Sequence, residues 1–187
     1  VDYIVQACAA IGEAHEAGII HRDLKLNNFL LSKQGHRCVL KVLDFGLAKP
    51  MRKLEENEPT QVSLTQAGAF FGTPQYMAPE QMIGVRAADP RIDVWALGVC
   101  LYAMITGAYP FHGEDTQAIC RMVLSNEYMP ASELRPDLSP EIEAVIKKCL
   151  SPMSVRYPNA GALAEALRRV VPQRRDDEPD PLAGGED

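Results

Sequence analysis

Residues Val94 to Ile105 limit the fold more than any other stretch. Every side chain in the run is apolar or uncharged, Asp93 stands before it and Gly107 shortly after it. Trp95 to Ile105 is too short to cross a bilayer. It reads as a helix with no polar face, and such a helix belongs in a protein interior. The rest of the chain must therefore cover it.

The covering segments have helical spacing. Asp2 is placed to cap a helix running to about Ala17, with Ile4, Cys8, Ile11 and His15 on one face and Gly18 as its stop. His15 is expected as a helix-surface or packing residue rather than a ligand. Thr116 to Leu124 reads as a further amphipathic helix. Ser139 is an N-cap with Pro140 in the first helical position, and Ile142, Val145, Ile146, Cys149 and Leu150 mark the buried face. Asn159 caps the last helix, lined by Leu163, Leu167 and Val170. One hairpin interrupts this pattern: Phe29 to Leu31, a turn at Lys33-Gln34-Gly35-His36, and a return strand from Cys38 to Leu43. The fold class is α+β, mainly helical. One domain is expected over 1–171. From Pro172 the composition turns to Pro, Gly, Asp, Glu and Arg, which predicts a disordered linker or tail over 172–187.

A net charge of -6 and no basic block argue against a nucleic-acid partner. The five cysteines, at 8, 38, 100, 120 and 149, form no CxxC pair and predict neither a zinc site nor a disulfide framework. A reducing, cytoplasmic setting fits them best, and there is no signal peptide. The chain opens on Val1 rather than Met, from which a fragment of a longer protein is expected.

Chemistry concentrates in His21-Arg22-Asp23-Leu24-Lys25-Leu26-Asn27-Asn28, a loop between the first helix and the hairpin. Asp23 can accept a proton from an alcohol. Lys25, two residues on, can point to the same side of an extended loop. Asn28 offers a neutral oxygen that suits Mg²⁺. The hairpin sets Asn28 before one strand and Asp44 after its partner, so both sit at one end, a geometry suited to sharing a metal.

Alone, such a loop can be a solvated turn. Asp44-Phe45-Gly46 and Ala78-Pro79-Glu80 follow it, however, and the three stand in the order of the protein kinase signature. From this loop to about Val171 the chain resembles the C-terminal lobe of bacterial, eukaryotic-like Ser/Thr protein kinases. The resemblance implies Asp23 as catalytic base, Lys25 as the lysine on the γ-phosphate, and Asn28 and Asp44 as Mg²⁺ ligands. It implies Leu30 as the floor under adenine, and Thr73 as the threonine that contacts base and lysine. It implies that Asp93 bonds to the catalytic-loop backbone and that Glu80 pairs with Arg156 in the interior. ATP, Mg²⁺, protein Ser/Thr substrates and a kinase dimer for trans-autophosphorylation come with it.

Leu26 stands where the family commonly has proline, which predicts a slightly looser loop. The glycine-rich loop, the β3 lysine, its helix-C glutamate and the adenine hinge have no counterpart in the chain. The N-lobe is thus expected to be missing, and the piece nearly inactive and weak in ATP binding by itself. A membrane anchor on the parent protein stays open. So do two other readings, a small-molecule phosphotransferase and a non-catalytic interaction module. Between Asp44 and Glu80, Thr60, Ser63 and Thr65 lie in a polar stretch. Thr65 resembles an activating phosphorylation site, with Arg22 and Lys49 as receivers of the phosphate.

Overall fold

The structure, a computed structural model, describes residues 1–35, 37–44, 73–84 and 89–170, together with the backbone of 49–50. Seven helices and two antiparallel strand pairs make up this part. In chain order they are α1 (Asp2–Glu16), β1 (Ile19–Ile20), β2 (Phe29–Gln34), β3 (Arg37–Val42), β4 (Lys49–Pro50), α2 (Pro79–Met82), α3 (Arg91–Thr106), α4 (Thr116–Ser125), α5 (Ala131–Leu134), α6 (Pro140–Cys149) and α7 (Ala160–Val170). Two 3-10 turns, Leu26–Asn28 and Pro74–Tyr76, complete it.

Helix α3 lies at the centre, with every residue from Ile92 to Ala103 buried. No stripe of polar residues interrupts it, so neighbours must close on all sides. Helices α1, α5, α6 and α7 pack against it. Gly107 ends it in the left-handed conformation, φ 74°, which costs glycine little. At Gly98 helix α6 approaches so closely that a Cβ would overlap that of Cys149. Trp95 stacks on Phe111 with ring centroids 5.4 Å apart.

The caps on the later helices are local and follow the sequence. Ser139 Oγ accepts the Ile142 amide at 3.3 Å and Asn159 Oδ1 accepts the Ala162 amide at 2.9 Å. Asp2 differs from its expected role. Val1 occupies the N-cap and Asp2 falls in the first turn, where its charge favours the helix dipole without capping. Strand β2 also runs further than expected, to Gln34, and Gly35 after it takes a positive φ of 61°. Among the described residues no helix is long and apolar enough to cross a membrane. The expected tail, Phe45 and Gly46, and Thr60, Ser63 and Thr65 lie outside the described residues.

Candidate active site

The loop from His21 to Asn28 is held from below by Asp93. That carboxylate, fully buried in α3, accepts the amides of His21 on Oδ2 and of Arg22 on Oδ1, both at 2.8 Å. Arg22 carries a positive φ of 68°, a conformation unfavourable for a residue with a Cβ. The two bonds to Asp93 hold the backbone through that bend, and Asp23 emerges directly after it.

His21 ties the loop to the far strand. Its Nδ1 accepts the Asp23 amide at 3.3 Å, so the proton resides on Nε2 and is donated to the Leu43 carbonyl at 3.2 Å. The Leu43 amide in turn donates to the Asn28 carbonyl at 2.8 Å. The hairpin register, Phe29 opposite Val42, thereby sets Asn28 and Asp44 at the same end of the strand pair. Asp44 is exposed and has a positive φ of 64°.

Within the loop, Lys25 Nζ lies 2.8 Å from Asp23 Oδ2, with the two side chains 26% and 18% exposed. A partly wet pair of this kind adds little stability. Its consequence is geometric: an ammonium and a carboxylate share one small volume, and the second carboxylate oxygen is left for another donor. Asn28 is buried, and its amide nitrogen donates to the Asp23 carbonyl at 2.8 Å. That bond turns Oδ1 away as an oxygen ligand.

Among the described residues no three His, Cys, Asp or Glu side chains gather into a metal cage. One amide oxygen and one carboxylate, from Asn28 and Asp44, instead fit a hard cation that takes its other ligands from phosphate and water. Leu30 on β2 is 48% exposed, and Leu31 and Leu43 are 41% exposed each. An apolar surface is thus open beside the end that carries Asn28 and Asp44.

Further out, Arg156 and Glu80 form a buried bidentate pair. Nη1 bonds Oε1, and Nη2 lies 2.9 Å from Oε2. The guanidinium also donates to the Ser151 carbonyl at 2.7 Å and sits 4.7 Å from the Trp95 ring centre. Short helix α2, which follows Thr73, is thereby fixed to the central helix. Thr73 itself flanks the Pro74–Tyr76 turn, half-buried. Among the described residues its hydroxyl bonds neither Asp23 nor Lys25. Lys49 pairs through its backbone with Ile20; its side chain, like Thr65, is outside the described part.

Of the two roles expected for His15, helix-surface or packing, the second holds, but its partners are new: Nε2 lies 2.9 Å from Asp93 Oδ2 and Nδ1 accepts the Ala160 amide at 3.2 Å. Tyr76 and Tyr109 join their hydroxyls at 3.0 Å. A polar side chain on an otherwise apolar face, at His15, was the one available signal.

The family described as protein kinase domain matches residues 1–165. The serine/threonine-protein kinase PknB of Mycolicibacterium smegmatis is 36% identical over 187 residues, covering 100% of this chain and 28% of that protein. The serine/threonine-protein kinase Pkn1 of Myxococcus xanthus is 40% identical over 170 residues, 90% of this chain and 23% of that protein. The tyrosine-protein kinase MasK of Myxococcus xanthus is 39% identical over 177 residues, 90% of this chain and 26% of that protein. The chain thus spans about a quarter of the length of these relatives. A loop braced by a buried aspartate, an amide and a carboxylate at one hairpin end, and a family match over nearly all the described residues converge, and the chain belongs to the protein kinase domain family.

Proposed function

We propose that this chain is the catalytic-loop half, or C-lobe, of a kinase that transfers the γ-phosphate of ATP to Ser or Thr hydroxyls of proteins. The observation that carries the reading is the placement of Asp23 beside Lys25 at 2.8 Å, above an amide ligand whose nitrogen is tied back to Asp23. Asp23 takes the proton of the acceptor hydroxyl. The alcohol oxygen bonds to the γ-phosphorus as the bond to the bridging oxygen breaks, and ADP leaves. Lys25 stands where negative charge accumulates on the γ-phosphoryl oxygens. Asn28 and Asp44 would hold Mg²⁺, which would supply positive charge to the phosphate oxygens.

Ser/Thr acceptors are favoured over tyrosine by Lys25, which resembles the lysine typical of Ser/Thr kinases. PknB and Pkn1 are named as such, whereas MasK is named a tyrosine kinase. Among the described residues no glycine-rich strand pair covers Leu30. Activity is therefore assigned to the full-length gene product, and a kinase dimer is the proposed route to its autophosphorylation.

Asp23→Asn tests the reading. An amide cannot accept the hydroxyl proton, and kcat of the full-length gene product should fall at least a hundredfold, within the range for general-base loss of about 10²–10⁴. A loss below tenfold removes Asp23 as the base. Phosphoamino-acid analysis of the products separates Ser/Thr from Tyr acceptors.

A further inference from the structure

Position 26 is built for proline and does not have it. Lys25 is fully extended, φ -158° and ψ 161°, as a residue before proline should be. Leu26 opens a 3-10 turn, where the amide has no partner within the turn. A proline here would remove the donor and set its Cδ along the line of that N–H, against whatever the amide faces. What leucine supplies in its place is an N–H, and this N–H has an acceptor: the Tyr76 hydroxyl oxygen, at 3.4 Å.

That hydroxyl is not free to turn away. Tyr76 is 6% exposed, and its proton goes to the Tyr109 hydroxyl at 3.0 Å, with the two rings edge to face at 5.6 Å. Burial and the bond to Tyr109 push the Tyr76 phenol well above its ordinary pKa, so it stays a neutral donor over the working range of pH. Donating its own proton polarises the oxygen toward the Leu26 amide. The chain Leu26 N–H, Tyr76 O–H, Tyr109 therefore crosses three separate segments. These are the loop that carries Asp23 and Lys25, the turn directly after Thr73, and the loop that follows α3.

We propose that Leu26 and Tyr76 are positioning residues: the Leu26 amide, through a Tyr76 hydroxyl oriented by Tyr109, fixes the spacing between the catalytic loop and the turn that follows Thr73. The proposal rests on the kinase reading above. On that reading Asp23 and Lys25 act on the phosphate and the acceptor hydroxyl, and Thr73, directly before the turn, resembles the threonine that contacts base and lysine. A link between them sets how a bound acceptor meets the base. It contributes to alignment of the protein substrate and not to the hold on nucleotide.

The test is a pair of substitution cycles in the full-length gene product, with a Ser/Thr peptide as acceptor. Leu26→Pro deletes the amide proton and Leu26→Ala keeps it while removing the side chain, which is partly buried against the core. Tyr76→Phe deletes the acceptor. Leu26→Pro and Tyr76→Phe should each lower kcat/KM for peptide about three- to tenfold, leave KM for ATP within twofold, and cause no further loss when combined. Leu26→Ala combined with Tyr76→Phe should lose the product of the separate effects. Multiplicative losses for Leu26→Pro with Tyr76→Phe, or equal losses for peptide and ATP parameters, would overturn the link. So would unchanged kinetics in both single variants, provided Asp23→Asn in the same assay is inactive. An active Asp23→Asn enzyme instead removes the kinase reading, and the proposal with it.

Discussion

His15 Nε2 and Asp93 Oδ2 lie 2.9 Å apart in the interior, joining the first helix to the central one. The imidazole accepts the Ala160 amide on its other nitrogen, at 3.2 Å. A backbone N–H cannot face a protonated nitrogen, so the tautomer is fixed: Nε2 carries the hydrogen and donates it to Asp93. One ring thereby connects the N-terminus of α7 to the carboxylate that holds the catalytic loop.

His15→Leu should accordingly destabilise the fold more than its volume suggests. The leucine leaves the Ala160 amide without an acceptor and Asp93 short of one donor, at roughly 1–3 kcal/mol for each group left unsatisfied. Asp93 keeps both backbone amides, so the loop should stay in place. Urea unfolding of the full-length gene product should show the loss in stability, and kcat at a temperature where it is folded should change less than threefold. A large kcat effect without a stability effect would contradict this division.

The Glu80–Arg156 pair gives the opposite kind of prediction. Both side chains are buried, Glu80 at 10% and Arg156 at 0% exposure, so removing one partner strands a charge. Glu80→Ala or Arg156→Ala should each cost on the order of 3–5 kcal/mol. Replacing both with apolar residues of similar volume, Glu80→Leu with Arg156→Met, should cost less than either single change. Arg156 also covers the Trp95 ring and bonds the Ser151 carbonyl, so the methionine retains only part of the packing. Thermal melts of the three variants decide it: a double variant worse than both singles would refute the stranded-charge account.

Packing at the two helix crossings should rank two glycines. At Gly98 an added methyl would overlap Cys149 Cβ and lie 3.4 Å from Leu150 Cδ2. At Gly12 it would lie 3.2 Å and 3.3 Å from the backbone of Gly161. Alanine gains about 1 kcal/mol of helix propensity over glycine at either site. Overpacking of about 1–3 kcal/mol exceeds that gain where the overlap is severe. Gly98→Ala should therefore lower the melting temperature clearly and Gly12→Ala change it little. Cys149→Gly should recover part of the Gly98→Ala loss, which a general helix effect would not produce.

These relationships also show what the chain reveals before folding. The unbroken apolar run of α3, the Ser139-Pro140 start of α6 and the Asn159 cap of α7 are local signals, and each appears where expected. So does the hairpin that places Asn28 and Asp44 at one end. The sequence marks His15 only as a surface or packing residue, because its partners, Asp93 and Ala160, lie 78 and 145 positions away. No periodicity reports such a bond. The two-residue pairing of β1 with β4 and the single-turn helices α2 and α5 are too short to leave a pattern. Leu26 shows a subtler limit. As a letter it reads as a missing ring, while its amide proton finds an acceptor only through the tertiary approach of Tyr76.

The hairpin end proposed to hold Mg²⁺ supplies the last prediction. Asn28 and Asp44 come from different segments, and their common position depends on the Leu43 amide bonding the Asn28 carbonyl and on the His21 ring bonding the Leu43 carbonyl. The two ligands differ in charge. Asp44 contributes a carboxylate, whereas Asn28 contributes a neutral oxygen fixed by its own bond to Asp23. Removing the charged ligand should therefore cost more than removing the neutral one. Asp44→Ala should abolish turnover at ordinary Mg²⁺ concentrations, with only partial recovery at high Mg²⁺. Asn28→Ala should weaken the metal and also release the Asp23 carbonyl, so that recovery at high Mg²⁺ leaves kcat reduced. His21→Phe keeps every ligand but cuts both ring bonds, to the Leu43 carbonyl and from the Asp23 amide, and should shift the Mg²⁺ requirement upward by a smaller factor. Titration of initial rate against Mg²⁺ at saturating ATP reads all three in the full-length gene product. Unchanged curves for Asp44→Ala would remove it as a ligand, and a wild-type curve for His21→Phe would show that the loop holds the two ligands together without that bond.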